Sequence, residues 1–591
     1  MATNSPPAYR ELTFAALALG VIQGAILTAS FVYIGLKLGF GLSGSTVAAI
    51  TGFALLRGVG RKVFNIDGCG SILETNINQT IASGINTASA GVVFTFPALF
   101  LLGFADEINY GVILLAAVAG SFMGIVVIIP LRKQMIEIER LRFPSGIAVA
   151  TILKSPGAGA EKAVLLGVGA VVAASMTLLS HFEVMPETLT VGAWFLDDPE
   201  TASGSTGILL LGTSLSLSMA NFGAGLLSGK GGLAFAVGGM LAWWVIAPYV
   251  AGQGWIPEDV VGDALWGTVY GSMLRPVGIG VLIGGALSGV VMSYPALKGA
   301  IKSLKAAAKL AKTGNSSDAE ELPPKVLIFG LGGAFIALFV VAILGSEGAV
   351  AMSISVAVAG TIWLALAGLI VAQATGATDI SPLSGLALIA VTLMLAITAN
   401  NVMLAVTIGV AVCVATNQCS DMMSDLKTGH LVGGQPRRQQ LAQFMVAWIG
   451  PAIAIGTVVL LWKGGPGGQG GFGPGTDLGA PQAGALQGMV DGVVSGNAPL
   501  DKYFAGACIG GALALFPVSG LGVLIGLAMY LPFEITFAYG IGCVVSMSLE
   551  KWKGRSFYGG IIVPIGAGFI IGEALTSLTL TMIALATGGG Q

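Results

Sequence analysis

LTFAALALGVIQGAILTASFVYIGL, residues Leu12–Leu36, carries no charged side chain along its whole length, and VILLAAVAGSFMGIVVIIP, Val112–Pro130, repeats the pattern. A helix rises about 1.5 Å per residue, so roughly 20 apolar residues cross the hydrocarbon of a bilayer. In both runs the apolar character is continuous rather than alternating. That fits helices, which satisfy their own backbone in lipid, and excludes a transmembrane barrel.

Working outward, similar runs recur at Leu42–Leu56, Ala88–Phe104, Ala163–Ser180, Gly207–Leu227, Leu233–Val250 and Val277–Tyr294. The second half adds Val326–Leu344, Ala349–Val371, Leu386–Ala399, Val402–Val414, Leu441–Trp462, Phe504–Phe516, Gly520–Leu531, Ile535–Leu549 and Gly559–Ala586. The expectation is an all-α polytopic membrane protein of about sixteen helical segments. Several runs, with Phe143–Leu153 as a further piece, are too short for a full crossing and predict broken or re-entrant helices. The first run is too long for a signal-peptide core and reads as a retained span.

Composition agrees. Of 591 residues, 55% are hydrophobic and only 9% charged, against roughly 25% charged in soluble domains, so a water-soluble surface cannot be covered. The net charge of −2 gives no reason to expect nucleic acid as a partner. Five cysteines form no C-x-x-C pair and sit in or beside apolar runs, where a small hydrophobe is the expected role. No cofactor or metal site is predicted. Lys and Arg collect in 57–62, 132–142, 298–325, 427–438 and 551–555, whereas 183–200, 258–263 and 464–501 are acidic or nearly uncharged. Basic loops stay cytoplasmic, which puts the N-terminus inside and divides the chain into halves 1–297 and 326–591 joined by a basic linker, 298–325.

The halves share G-x-G-x-x-I-G-x-A-L, at Gly278–Leu287 and Gly566–Leu575, and a polar segment, 74–84 against 417–429. Secondary transporters are commonly built from such repeats, with the solute between them. Ninety glycines fit this picture, because helices in lipid pack closely through small residues. Polar groups at membrane depth turn to the bundle interior or to an aqueous cavity. On that ground Glu74, Asn76, Asn78, Gln79, Thr80, Ser83 and Asn86 are candidate solute-binding residues; Asn417, Asp421 and Asp425 join them because their segment is internally charge-paired and holds the matching position in the other half. The competing readings are an interfacial helix cap for the first group and a plain cytoplasmic loop for the second. Glu573, deep in the last apolar run, needs a partner or a proton and is the candidate for proton coupling; Glu534 is a second, unless it caps its helix. Arg275 is expected to snorkel at a boundary.

Enzymatic matches fail on their partners. Gly41–Gly44 has the G-x-S-G pattern, but the two histidines lie at a span end, His181, and in a basic stretch, His430, so a general base is missing. Gly229-Lys230 matches only the end of a phosphate loop.

The residues then become recognisable. Glu11–Phe14 with Tyr33–Lys37, Glu74–Gly84 leading into Gly91–Leu99, Arg142–Gly146, Asp379–Gly385, Asp421–Gly429 and Tyr530–Phe533 together resemble the oligopeptide transporter family, on the prokaryotic side that also looks like the yellow-stripe metal-chelate transporters. The resemblance runs through nearly the whole chain. It implies duplicated halves and uptake of short peptides, modified peptides or metal complexes of small chelators, driven by protons. The N-P-G-P-F motif of the peptide-transporting eukaryotic branch is absent. The expectation is a proton-coupled symporter, with a passive channel and an intramembrane enzyme as the rival classes.

Overall fold

The computed structural model describes residues 11–39, 44–60, 70–154, 159–190, 214–253, 255, 267–292, 294, 298, 325–378, 381–465, 468–494, 499–516 and 520–587. Nearly all of the linker 298–325, the loop 258–263, parts of the loops 57–62 and 183–200, Cys69 and Gly41–Ser43 lie outside these residues.

Among the described residues, twelve helices are long and apolar enough to cross a membrane. Four more, Gly44–Arg57, Pro144–Lys154, Leu383–Ile397 and Leu521–Tyr530, are apolar but short, and they coincide with runs read from the sequence as partial crossings. The chain is an all-α polytopic membrane protein, with twelve such spans described where about sixteen segments were expected. In chain order the helices are α1 (Phe14–Leu38), α2 (Gly44–Ala54), α3 (Ile72–Asn86, continued by Ala88–Val93 and Pro97–Leu101), α4 (Tyr110–Ile128), α5 (Pro144–Lys154) and α6 (Gly159–His181). A two-stranded antiparallel ribbon, β1 (Thr188–Thr190) and β2 (Ser214–Ser216), precedes α7 (Met219–Ser228), α8 (Leu233–Leu241) and α9 (Arg275–Met292). The remainder are α10 (Lys325–Gly345), α11 (Val350–Thr378), α12 (Leu383–Ile397), α13 (Val402–Val432), α14 (Pro436–Val446), α15 (Ile449–Lys463), α16 (Pro481–Val494), α17 (Leu500–Ala514), α18 (Leu521–Tyr530), α19 (Phe533–Lys553) and α20 (Val563–Thr587).

Glycine decides how these helices meet. A Cβ on Gly568 or Gly572 of α20 would strike the carbonyls of Leu166 or Ala170 on α6, and one on Gly280 or Gly284 of α9 would strike those of Tyr503 or Ala507 on α17. Gly566 faces Gly223 on α7, and Gly278 faces Gly526 on α18. The two copies of G-x-G-x-x-I-G-x-A-L therefore make equivalent contacts, each with helices from the other half of the chain. Close backbone approach of this kind is what small residues provide in lipid, where apolar side chains gain nothing by leaving the acyl chains.

Breaks also follow the sequence. Gly225 of α7 lies against Tyr539 of α19 and Gly229 near Ser546, whereas Gly232 returns to Tyr539 and Gly239 reaches Thr536. The chain thus reverses at Gly229, whose φ of 48° is a conformation glycine adopts without strain. The pair α7–α8 is a helical hairpin rather than two independent crossings. At the centre, α3 and its continuation run antiparallel to α13: Gln79 meets Asp425, Asn417 meets Thr87, and Gly91 packs on Val414.

Candidate functional site

The antiparallel pairing of α3 with α13 brings together the two polar segments that the sequence marked separately. The second segment is not a loop. The α13 helix continues to Val432, and Gly433, with a φ of 82°, closes it. It persists past Val414 because α3 and α14 supply partners for its polar face. Asp425 Oδ1 accepts hydrogen bonds from Gln79 Nε2 at 2.5 Å and from Ser45 Oγ at 3.4 Å, and its Oδ2 accepts from Gln443 Nε2 at 3.0 Å. Ser45 and Ser83 share a bond of 2.8 Å. Behind Gln443, Gln418 Nε2 donates to Gln443 Oε1 at 3.1 Å, and Ser121 Oγ donates to Gln418 Oε1 at 3.3 Å. Gln439 Nε2 donates to Thr80 Oγ1 at 3.0 Å and to the Asp425 carbonyl at 2.9 Å. Nearer the other end, Thr87 is hydrogen-bonded to Asp421, and Asn417 Nδ2 donates to the Thr87 carbonyl at 2.6 Å.

Several amides in this seam are buried with polar atoms left over. Among the described residues, both side-chain polar atoms of Asn76, and the oxygens of Asn78, Gln79 and Gln439, have no hydrogen-bond partner. Such atoms normally pair within the protein or with water or ligand, and in a membrane core the penalty for leaving them bare is larger than in a soluble core. Asn78 is half engaged through Nδ2 to the Ala16 carbonyl at 3.2 Å. Asn86 accepts a long bond from Ser89, 3.5 Å. Glu74 behaves differently: it accepts from Thr13 Oγ1 at 2.5 Å and from the Gly70 N–H at 2.7 Å, while its own N–H is capped by Ser71. It ties α3 to the start of α1.

Glu573 has a partner that the sequence reading missed. Lys37 Nζ lies 2.8 Å from its Oε1, and both side chains are buried. Glu573 also accepts from Ser218 Oγ at 2.7 Å, from the Ala220 N–H at 2.8 Å and from Tyr33 Oη at 3.3 Å. Ala220 is the second residue of α7, and its counterpart on α18 is Gly522, which packs against Gly285, the repeat equivalent of Glu573. One motif copy thus makes this contact with glycine on glycine, the other with a carboxylate on a helix N-terminus, a favourable place for negative charge. Lys37 was detectable: a lone lysine ending an apolar run, four residues after Tyr33, calls for a buried counter-charge. Gln418, Gln439 and Gln443 were also missed; the last two are one helical turn apart on α14, Gln439 directly after the basic stretch 427–438 and Gln443 inside the expected span Leu441–Trp462, where it was not singled out.

Glu534 stands in the first turn of α19 and accepts from Ser214 of β2 at 3.1 Å. Two carboxylates of the loops, Glu187 and Asp477, interact as like charges, and that repulsion, with partial burial, raises the Glu187 carboxyl above its usual range. Arg275 begins α9 with its guanidinium over the Tyr530 ring, 5.6 Å from the centroid. Cys413, Cys419, Cys508 and Cys543 are free thiols, and no group of three or more His, Cys, Asp or Glu able to hold a metal occurs among the described residues. A cavity of about 10 Å³, room for one water at most, lies among Phe94, Thr95, Leu282, Ser384 and Gln482.

The family model of the OPT oligopeptide transporter protein matches residues 11–584. The chain belongs to the oligopeptide transporter family. A Haemophilus influenzae protein named "Putative oligopeptide transporter" is 28% identical over 624 aligned residues, spanning 95% of this chain and 94% of its own. The Arabidopsis thaliana metal-nicotianamine transporter YSL2 is 29% identical over 183 residues, covering 28% of this chain and 26% of its own. The oligopeptide transporter family consists of transporters rather than enzymes, and within it this chain carries the intramembrane ion pair and the amide-lined seam described above.

Proposed function

We propose that this family member is a secondary active transporter that couples proton entry to the symport of small peptides, modified peptides or metal-chelate complexes across the cell membrane, with its N-terminus cytoplasmic. The names of the two relatives, one an oligopeptide and the other a metal-nicotianamine transporter, support that range of solutes. The observation that carries the reading is the seam between α3 and α13, where buried amides keep oxygens without partners among the described residues. A purely structural seam would be selected toward full pairing, whereas a solute path needs groups that change partners as the solute passes. The path then runs past Asn76, Asn78, Gln79, Thr80, Ser83 and Asn86 on one side and Asn417, Asp421 and Asp425 on the other.

Coupling falls to Glu573. Its pair with Lys37 joins α1 to α20 and, through Ser218 and Ala220, to α7. A proton on Glu573 removes the charge that holds Lys37 and frees α1 to move relative to α20. Glu534, at the ribbon, is the secondary candidate. The halves 1–297 and 326–591 would rock about the exchanged helix contacts, with 298–325 as the cytoplasmic connection, as in other repeat-built transporters. A thermal-shift panel of di- to hexapeptides, glutathione-like thiols and metal chelates tests the solute class, since a native-state binder raises apparent stability. A stabiliser whose effect is lost in Asn76→Ala and Gln79→Leu supports the path; stabilisation unchanged in both places the solute elsewhere.

A further inference from the structure

We infer that Asp425 is the anchor for a positively charged amino group on the transported solute, an assignment that rests on the α3–α13 seam being the solute path. Asp425 is 1% exposed. The donors that reach its carboxylate, from Gln79, Gln443 and Ser45, are all neutral. Gln443 cannot turn freely, because Gln418 holds its oxygen and Ser121 holds the oxygen of Gln418. The amide dipoles of this chain point their donor ends at Asp425, an arrangement that suits an ionised carboxylate. Yet no Lys or Arg forms an ion pair with it among the described residues, whereas Glu573, Glu137 and Glu11 each have one. A buried ion without a counter-charge is costly, so the site is built for a cation that arrives from outside the chain.

The neighbouring atoms give the cation its class. Gln79 Oε1, on the amide whose nitrogen bonds Asp425, has no partner among the described residues. Turning the Gln79 amide over exchanges its donor for this acceptor without changing its shape. A primary ammonium has three N–H donors and no acceptor, and the two carboxylate oxygens with the turned Gln79 oxygen offer it three acceptors. A divalent metal asks for more charge than the single carboxylate offers here. Asp421, four residues earlier, is engaged with Thr87 and adds negative potential from the same helix.

The test uses trialanine, N-acetyl-trialanine and sodium chloride as probes on the purified full-length protein, with binding read by thermal shift and calorimetry. Trialanine binding more than about tenfold tighter than its acetylated form, with the difference abolished in Asp425→Asn and weakened in Gln79→Met, establishes the assignment. Equal binding of the two peptides to the unmodified protein overturns the ammonium role while leaving the peptide path intact, and this comparison needs no variant to fold. A sodium-dependent shift that disappears in Asp425→Asn, with no preference between the peptides, makes the cation inorganic and likewise overturns it. Binding of none of the three overturns both the assignment and the path reading on which it rests.

Discussion

Removing either partner of the Lys37–Glu573 pair should destabilise the protein far more than removing both. At 2.8 Å the two charges attract by about 6 kcal/mol at an effective dielectric of 20, an attraction largely offset by the desolvation of two buried ions. Breaking such a pair from one side leaves the other charge uncompensated, at roughly 3–5 kcal/mol. The surroundings then predict an asymmetry. In Lys37→Met, Glu573 keeps the Ser218 hydroxyl, the Ala220 N–H and Tyr33, so the loss should fall near 3 kcal/mol. In Glu573→Leu, Lys37 keeps as direct contacts among the described residues the Tyr33 hydroxyl at 3.5 Å and its ring, with Asp477 as a more distant charge, so the loss should approach 5 kcal/mol. The double variant should lie within about 2 kcal/mol of the parent, because a matched apolar pair can replace a buried ion pair at little net cost. Reversible unfolding in mixed micelles, analysed as a double-mutant cycle, measures all three. Single losses below about 1 kcal/mol, or a double variant equal to the sum of the singles, would refute the buried-pair account.

Gly572→Val should abolish assembly of folded protein, judged by size-exclusion profile, because its side chain would enter the Ala170 carbonyl; Gly167→Ala on the facing helix meets nothing within 4 Å and should be neutral or slightly stabilising. The Glu187 carboxyl sits above its ordinary range because of Asp477, so the native state holds its proton more readily than the unfolded chain and stability falls as pH rises through that window. Glu187→Gln should therefore raise the melting temperature near pH 7, with the gain shrinking in high salt and vanishing below about pH 4, where both states are protonated. Single cysteines in 298–325 of a Cys-free variant should resist an impermeant maleimide in intact cells while those in 183–200 and 464–480 react; the reverse pattern would invert the topology.

The helices were legible because continuous apolar runs leave the backbone in lipid no other option, and the short ones announced themselves by length. The first polar segment was legible too, since Glu74–Asn86 is improbable beside hydrocarbon, whereas 417–429 was marked only by its charge pairing and its matching position in the other half. Their meeting was not: the repeat suggested equivalent positions in two halves, and only the antiparallel packing of α3 on α13 shows that they face each other. The extent of α13 was hidden because Asp421, Asp425 and Lys427 look like loop until Gln79, Gln439 and Gln443 are known to surround them. Lys37 was overlooked for a related reason. Its partner lies 536 residues away, and a pattern read along the chain carries no information about pairing at that distance.

The central claim, coupling of solute entry to proton entry, is tested most directly in proteoliposomes holding a pH-sensitive dye and a solute found in the binding screen. With an inward proton gradient, the account predicts accumulation of solute above its external concentration together with internal acidification, and Glu573→Gln, correctly folded and inserted, should exchange solute without accumulating it. Entry that stops at equal concentrations on both sides, with no proton flux, would contradict it and leave a passive channel; uphill accumulation by Glu573→Gln with unchanged pH dependence would take the coupling role away from Glu573.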